Sequence, residues 1–312
     1  MRFESLPQTE ERFKNEASSY LSAFSLPIED ENLRLNGLVF KPLSSNYYYA
    51  VEHPKVRIVL HFTAGNVRSD MASLTTSDRH VSTAFVIGRD GTVYNLFPSK
   101  YWSGHLGAGI GNGKGTGNPQ DKATIGIEIS NYGFLVLKDG DLETIYSRVY
   151  NEETKKFNPI DKYCSINDSD AYIEIPKSFR GQKYFAKFTA PQIDNLIILL
   201  RFLTKKYNIP REFLPVDKRF IATNDVLNFK GIVSHVNYRE SGKWDIGEAF
   251  SWESLIKGVH AKEYLPTTAV SRSIIKSLRS EDEIESLFPK MRSIFSEIET
   301  TDNEGYNPFD FE

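Results

Sequence analysis

The sequence of 312 residues has little of what disulfide-rich, nucleic-acid-binding or membrane-spanning proteins require. A single cysteine, Cys164, excludes an intrachain disulfide and a cysteine-rich zinc finger, and it fits synthesis in a reducing compartment. The formal net charge of −3 provides no basic field that would hold nucleic acid nonspecifically. Because 40% of the residues are hydrophobic and 25% are charged, the composition is that of an ordinary folded globular protein.

Long apolar runs are also missing. The opening residues, MRFESLPQTEERFKNE, lack the apolar core of a secretory signal. No other stretch approaches the roughly 18 apolar residues of a membrane span. The sequence therefore predicts a protein that is cytoplasmic as synthesised, with no membrane span and no nucleic-acid partner.

Three segments have the spacing of amphipathic helices. Residues 9 to 24 place apolar side chains on one face, with Thr9 as a possible N-cap. A second helix begins at Thr189, since Gln192 completes a capping box there. A third follows Ser280, where ten acidic and two basic residues from position 281 onward predict a solvated face or a basic partner.

Apolar runs of strand length alternate with these helices. Residues 56 to 62, 124 to 130 and 230 to 236 predict buried strands. Residues 81 to 88 and 92 to 97 flank an Asp-Gly dipeptide, which favours the positive φ of a tight β-hairpin. These elements predict an α/β (α+β) fold with a central mixed β-sheet flanked by helices.

The pattern also predicts how the chain is divided. Residues 1–50 would form an N-terminal helix and an extended lead-in, and residues 51–262 the main domain. Within that domain, residues 133–188 resemble an inserted β-rich segment, because short alternating stretches are separated by polar turns. Residues 263–312 would form a helical, acidic extension through which the protein could bind a partner or itself.

Three residues offer a metal site. Hydrolytic zinc sites need three protein ligands and one open position, and two imidazoles with one carboxylate leave the ion electrophilic. His61 and His235 each end an apolar strand, where a rigid sheet can hold metal geometry, and Asp245 completes the set. Taken singly, neither histidine identifies a site. A closed structural zinc site would favour four protein ligands, and the sequence offers no convincing fourth.

Five segments, in order along the chain, resemble the type 2 N-acetylmuramoyl-L-alanine amidases. This family of zinc amidases includes phage lysozyme-amidases, muropeptide-recycling amidases and peptidoglycan recognition proteins. The resemblance covers roughly residues 56 to 257, interrupted by the 133–188 insertion. The segments are VLHFTAG, VSTAFVIGRDGTVYNLF, WSGHLG, TIGIEIS and SHVNYRESGKWDIGEAFSW.

The resemblance implies a fold like that of the peptidoglycan recognition proteins and zinc-dependent hydrolysis of the amide bond between N-acetylmuramic acid and L-alanine, in peptidoglycan or muropeptides. By family position, His61, His235 and Asp245 would bind Zn²⁺. Glu128, in the Ile-Gly-Ile-Glu strand, would be the catalytic base, and Lys243 a catalytic lysine. From the residues alone, the favoured interpretations are an outward-facing strand residue for Glu128 and an ordinary loop lysine for Lys243.

Other positions follow the family less closely. His105, in WSGHLG, matches a family histidine that lines the substrate cleft, and a polar loop residue is the alternative interpretation. Thr83 stands where some phage enzymes have a tyrosine, which leaves the base role to Glu128. Ile246 replaces the usual proline, and Gly242 the common basic residue. Neither change removes a ligand or a proton-transfer group.

Two other functions stay open. Some recognition proteins of the family bind peptidoglycan without cutting it, but they typically lose a zinc ligand that this sequence keeps. A structural zinc domain that mediates protein assembly is the other. The biological role is equally open, because a phage endolysin, a cytosolic recycling enzyme and a delivered effector all suit a chain without a secretory signal.

Overall fold

A computed structural model describes residues 1–28, 32–115 and 118–263, which lie in one compact unit. Most of the strands are short. In chain order they are β1 (Leu21–Ile28), β2 (Leu33–Phe40), β3 (Arg57–Phe62), β4 (Phe85–Ile87), β5 (Val93–Asn95), β6 (Thr124–Ile129), β7 (Phe134–Lys138), β8 (Asp141–Glu143), β9 (Tyr150–Asn151), β10 (Lys156–Phe157), β11 (Lys162–Ser165), β12 (Tyr172–Phe179), β13 (Gln182–Ala186), β14 (Glu212–Phe213), β15 (Gly231–Ser234) and β16 (Lys262–Glu263).

A nine-stranded mixed sheet forms the centre, in the order β1-β2-β5-β4-β6-β3-β15-β14-β16. β3 pairs in parallel with β6 on one side and with β15 on the other. Ile58, Leu60 and Ile127 are fully buried in the main hydrophobic core. The predicted mixed sheet is therefore confirmed, and β3, the predicted hairpin of β4 and β5, β6 and β15 fall within their predicted ranges.

Helices flank this sheet. The one that begins after Thr189 has the predicted capping box, in which Thr189 and Gln192 each accept from the other's backbone N–H. Its apolar face, including Leu196 and Leu200, packs into the main core. The helices are α1 (Arg2–Glu16), α2 (Val67–Leu74), α3 (Pro119–Ala123), α4 (Ala190–Lys206), α5 (Val216–Arg219) and α6 (Trp252–Gly258).

The helix predicted over residues 9 to 24 is wrong at both ends. α1 begins at Arg2 and ends at Glu16, and residues 21 to 28 instead form β1, which pairs antiparallel with β2. The reason is tertiary, because β2 pairs in parallel with β5 and so joins the hairpin to the central sheet. At Gly37 a Cβ would lie 2.4 Å from the Val93 carbonyl oxygen, so this close pairing requires glycine.

The segment predicted as a β-rich insertion is confirmed as β-rich. It forms a five-stranded antiparallel sheet, β11-β8-β7-β13-β12, and a separate pair, β9 and β10. Leu135, Leu142 and the free, buried Cys164 belong to a second apolar cluster, which also includes Leu6 of α1. A further apolar cluster joins Phe179 and Phe185 of this segment to Val236, which follows β15.

The predicted C-terminal helix lies outside the described residues, as do positions 264 to 312 of the predicted extension. The division of the chain at residues 51 and 262 stays a prediction. Within the described part of the chain, every helix is too short or too polar to cross a membrane.

Candidate metal centre

The pairing of β3 with β6 positions the first half of the site. His61 lies opposite Glu128 in the parallel register, so both side chains project from the same face of the sheet. Thr124 and Gly126 share that face, because side chains alternate along a strand. A Cβ at Gly126 would lie 2.6 Å from the Thr83 methyl and 3.1 Å from the His105 ring. Glycine thus leaves room for His105 beneath the site.

The second half follows β15. His235 opens a short 3-10 turn that is fixed by Asn237, whose side-chain oxygen accepts from the Ser234 N–H at 3.1 Å. The chain then loops through Lys243 to Asp245. The Asp245 carbonyl accepts from the Val236 N–H at 3.0 Å, which closes this loop on itself.

The three predicted ligands converge. His61 Nδ1 lies 2.9 Å from His235 Nδ1 and 3.1 Å from Asp245 Oδ2, and His235 Nδ1 lies 2.9 Å from the same carboxylate oxygen. All three residues are buried. Among the described residues, this is the group of three or more His, Cys, Asp or Glu side chains that could hold a metal ion.

The hydrogen bond made by His235 Nε2 determines which of the two ring nitrogens carries the hydrogen. Nε2 lies 2.9 Å from the Leu106 carbonyl oxygen, which can only accept a hydrogen bond. Nε2 therefore carries the hydrogen, and in the neutral ring Nδ1 presents a lone pair to the site.

A longer chain of hydrogen bonds does the same for His61. Thr124 donates its hydroxyl hydrogen to the Gln120 carbonyl at 2.7 Å, so its oxygen accepts from His105 Nε2 at 2.9 Å. His105 Nδ1 then accepts from His61 Nε2 at 2.9 Å. The lone pair of His61 Nδ1 is consequently turned towards His235 and Asp245, as expected of a metal-binding imidazole with an outer hydrogen-bond partner.

Electrostatics favour the metal-binding protonation states. Burial lowers the pKa of His61 to about 4, and burial also lowers the pKa of His105 well below its ordinary value. Burial would raise the pKa of Asp245, but the neighbouring His235, His61 and Lys243 lower it overall, which favours the ionised carboxylate. Three electron-pair donors thus face one another without hydrogen between them, an arrangement that a cation stabilises. Two nitrogens and one oxygen are a donor set that fits zinc.

Glu128 is the acid beside this group. Its Oε2 is buried and has no hydrogen-bond partner among the described residues. Burial raises the pKa of its carboxyl well above the ordinary value, and Asp245 raises it further while Lys243 lowers it. A carboxyl group whose pKa is raised accepts a proton more readily than an ordinary glutamate does.

A cavity of about 250 Å³ adjoins the ligands and is lined by His105, His235 and Lys243, together with Arg79 and Arg239. The structure therefore brings all six predicted site residues to one region, although which role each plays stays a prediction.

Two residues that the sequence interpretation missed support this region. Asp121 Oδ1 accepts from the backbone N–H groups of His105 and Leu106 at 2.9 and 3.0 Å. It thereby positions the hydrogen-bond partners of His61 Nε2 and His235 Nε2, which are His105 and Leu106. Thr124 completes the hydrogen-bond chain to His61. The one signal in the sequence was that Thr124 lies four residues before Glu128 and so shares its strand face.

Residues 52–248 match a family model described as N-acetylmuramoyl-L-alanine amidase. No curated protein matches the chain. Among solved structures, it is similar to the N-acetylmuramyl-L-alanine amidase AmiD from E. coli, with 19% identity and a TM-score of 0.41, over 79% of this chain and 70% of that one. It is also similar to AmpDH3 from Pseudomonas aeruginosa, with 16% identity and a TM-score of 0.40, over 80% and 79%.

Proposed function

Because the chain belongs to the N-acetylmuramoyl-L-alanine amidase family, we propose that it hydrolyses its amide substrate with a zinc ion held by His61, His235 and Asp245. The family match covers well over half of the chain, and the enzyme is an amidase of that class. The observation that carries the zinc proposal is the convergence of three buried electron-pair donors, of which the two imidazoles are directed inward by their outer hydrogen bonds.

At such a site a zinc ion supplies Lewis-acid activation of water and of the substrate carbonyl. The protein holds the ligands ready for it, since Leu106 and His105 fix the orientation of the two imidazoles before any ion arrives. Ligands held in this way give a metal site its geometry and its affinity.

Glu128 is proposed as the general base and acid. It lies beside His61 in the sheet, and its Oε2 has no hydrogen-bond partner among the described residues. The raised pKa of its carboxyl suits it to take the proton of the attacking water and to give that proton to the departing alanine nitrogen.

Lys243 is proposed to stabilise the oxyanion that forms when the carbonyl is attacked. Its side chain lines the cavity beside His235, and its charge interacts with Glu128 and Asp245. A fixed cation next to developing negative charge is among the larger contributions that a site can make to catalysis.

The cavity supports a muropeptide as substrate, free or within peptidoglycan. Arg79, Arg239 and Lys243 give it three cationic side chains, and the stem peptide of a muropeptide carries free carboxylates. The carboxylate of Asp121, which also lines it, is engaged by backbone N–H groups. We propose that His105 contacts substrate through its ring carbons, because both of its nitrogens are already hydrogen-bonded.

The test is to incubate the purified protein with soluble muropeptides and with intact sacculi, with and without a chelator, and to identify the products by mass spectrometry. We expect release of the peptide from N-acetylmuramic acid, loss of that release with the chelator, and its return with Zn²⁺. Cleavage by protein shown to be metal-free would contradict the zinc proposal. Binding without cleavage would favour a noncatalytic peptidoglycan-binding module instead.

A further inference from the structure

The β-rich insertion reaches the ligand loop, residues 236–245, through the tip of one hairpin. Arg180 and Gly181 form the two-residue turn between β12 and β13, with φ of +49° and +82°. Positive φ at both positions is typical of a type I′ turn. From this tip the Arg180 guanidinium donates to the Lys243 carbonyl at 2.6 Å and to the Val236 carbonyl at 3.1 Å.

These two carbonyls belong to the two ends of the ligand loop. Val236 directly follows the ligand His235, and Lys243 precedes the ligand Asp245 by two residues. A guanidinium is a rigid, planar fork of donors, so one side chain that bonds to both carbonyls fixes the distance between them. Arg180 thus ties together the stretches of backbone that present two of the three ligands.

The contact is reciprocal and extends beyond one side chain. Trp244, between Lys243 and Asp245, donates its indole N–H to the Arg180 carbonyl at 3.0 Å. Its ring packs on Phe134 of β7, with ring centroids 4.5 Å apart. Phe179 lies against Gly247, where a Cβ would come within 2.3 Å of the ring. The insertion therefore contacts the loop at both sides of Asp245.

We propose that Arg180 is a positioning residue through which the β-rich insertion sets the zinc affinity of the site and the placement of Lys243. The inference rests on the proposed zinc site. Without the guanidinium, two backbone carbonyls lose their donor, and the loop can relax away from the spacing that the ion requires. Loss of an outer partner of this kind typically weakens metal binding or activity by about 10- to 100-fold.

The experiment compares Arg180→Met, Arg180→Lys and the control Lys183→Met in the full chain. Lys183 lies on the same hairpin, but its ion pair is with Glu174, within that hairpin. For each protein one measures the Kd for Zn²⁺ by competition with a chelator, kcat and KM for a soluble muropeptide, and the Tm of the metal-free form.

We expect Arg180→Met to raise the Kd for Zn²⁺ by about 10- to 100-fold and to lower kcat with little change in KM. Arg180→Lys keeps the charge without the fork, so it should fall between Arg180→Met and the wild type. Lys183→Met should behave as the wild type.

An unchanged Kd for Zn²⁺ in Arg180→Met would overturn the proposal. If the Tm of the metal-free form fell while the Kd stayed unchanged, the role of Arg180 would be purely structural, and the proposal would be overturned as well. If Arg180→Met does not fold, Arg180→Lys decides, because a wild-type Kd in that variant overturns the proposal too. Wild-type protein that binds no zinc would contradict the proposed function rather than this inference.

Discussion

The two halves of the site are held in different ways. His61 and Glu128 lie on neighbouring strands, β3 and β6, within six consecutive residue pairs of parallel register. Lys243 and Asp245 lie on a loop without regular structure. That loop is held by the Val236–Asp245 backbone hydrogen bond and by Arg180 of the insertion.

The sheet half of the site therefore depends on the fold itself, whereas the loop half depends on contacts that the insertion adds, such as those of Arg180. A sheet register cannot slip by one residue without turning every side chain to the other face, so the position of His61 relative to Glu128 follows from folding itself. The loop half can relax while the sheet stays intact. Changes that loosen the loop, such as Arg180→Met, should therefore leave the sheet half in place.

The largest effect is expected from removing the ligand of the sheet half. His61→Ala leaves two protein ligands, which seldom hold zinc, so both the ion and turnover should be lost. Metal analysis by mass spectrometry together with a muropeptide assay checks this. The matched control is His53→Ala, a histidine outside the ligand group, which should keep both. A full complement of zinc in His61→Ala would show that His61 is not a ligand.

Substitutions that spare the ligands give the next largest effect and sharpen the comparison. Glu128→Ala in the sheet half and Lys243→Ala in the loop half should each keep zinc, while kcat falls by about 100-fold or more, because a proton-transfer group or an oxyanion donor is lost. Zinc content and kcat measured on the same samples test the two together. Near-normal turnover in either variant would reject the role of that residue.

A smaller effect is expected from Thr124→Val. It removes the acceptor of the His105 Nε2–H and so releases the chain of hydrogen bonds that orients His61. Zinc affinity should fall by about tenfold. Ile125→Val is the control, since it lies on the same strand but faces the core, and should lower stability without changing zinc affinity. Equal affinities in the two variants would mean that the hydrogen-bond chain does not orient the ligand.

The smallest effect on catalysis is expected at Glu10, outside both halves. Burial, with the nearby Asp90, raises the pKa of Glu10 to about 7 from an ordinary value of 4.5. Between these two pH values the Glu10 carboxyl is protonated in the folded protein and ionised in the unfolded chain. The stabilisation that this bound proton gives the folded protein is complete below about pH 4.5 and is lost as the pH rises through about 7. Glu10→Gln should remove this loss, leaving the protein up to roughly 3 kcal/mol more stable than wild type at pH 8.

Urea denaturation of Glu10→Gln and wild-type protein at pH 5 and pH 8 measures this difference. Asp70 is present in both proteins, so its own raised pKa of about 8 largely cancels in the comparison. The muropeptide assay should give the same kcat for both. A stability difference that does not change with pH would contradict the prediction.

The sequence predicted the sheet half better than the loop half. The apolar runs around His61 and Glu128 allow little but buried strands, and the capping box at Thr189 marks where α4 begins. The helical spacing of residues 13 to 24 predicted a helix that continues into residues 21 to 24, which is wrong. Residues 21 to 28 form a strand instead, and its pairing depends on a partner elsewhere in the chain. Local patterns carry no information about such partners.

The supporting contacts of the site could not be predicted for the same reason. Arg180 is an ordinary turn residue in the sequence, and it meets Lys243 only because the insertion folds back onto the ligand loop. The convergence of His61, His235 and Asp245 was indicated by the family resemblance, whereas Thr124 and Asp121 act through hydrogen bonds that no spacing rule reveals.

The proposed metal ligands are far apart in the chain: His61 is 174 positions from His235 and 184 from Asp245. A ribosome makes the first of them long before the other two. Throughout that interval the nascent chain carries one imidazole that would grip an ion but nothing to complete the coordination. The proposed metal site is therefore complete only once Asp245 has been translated, and a polypeptide that stops before Asp245 would lack it.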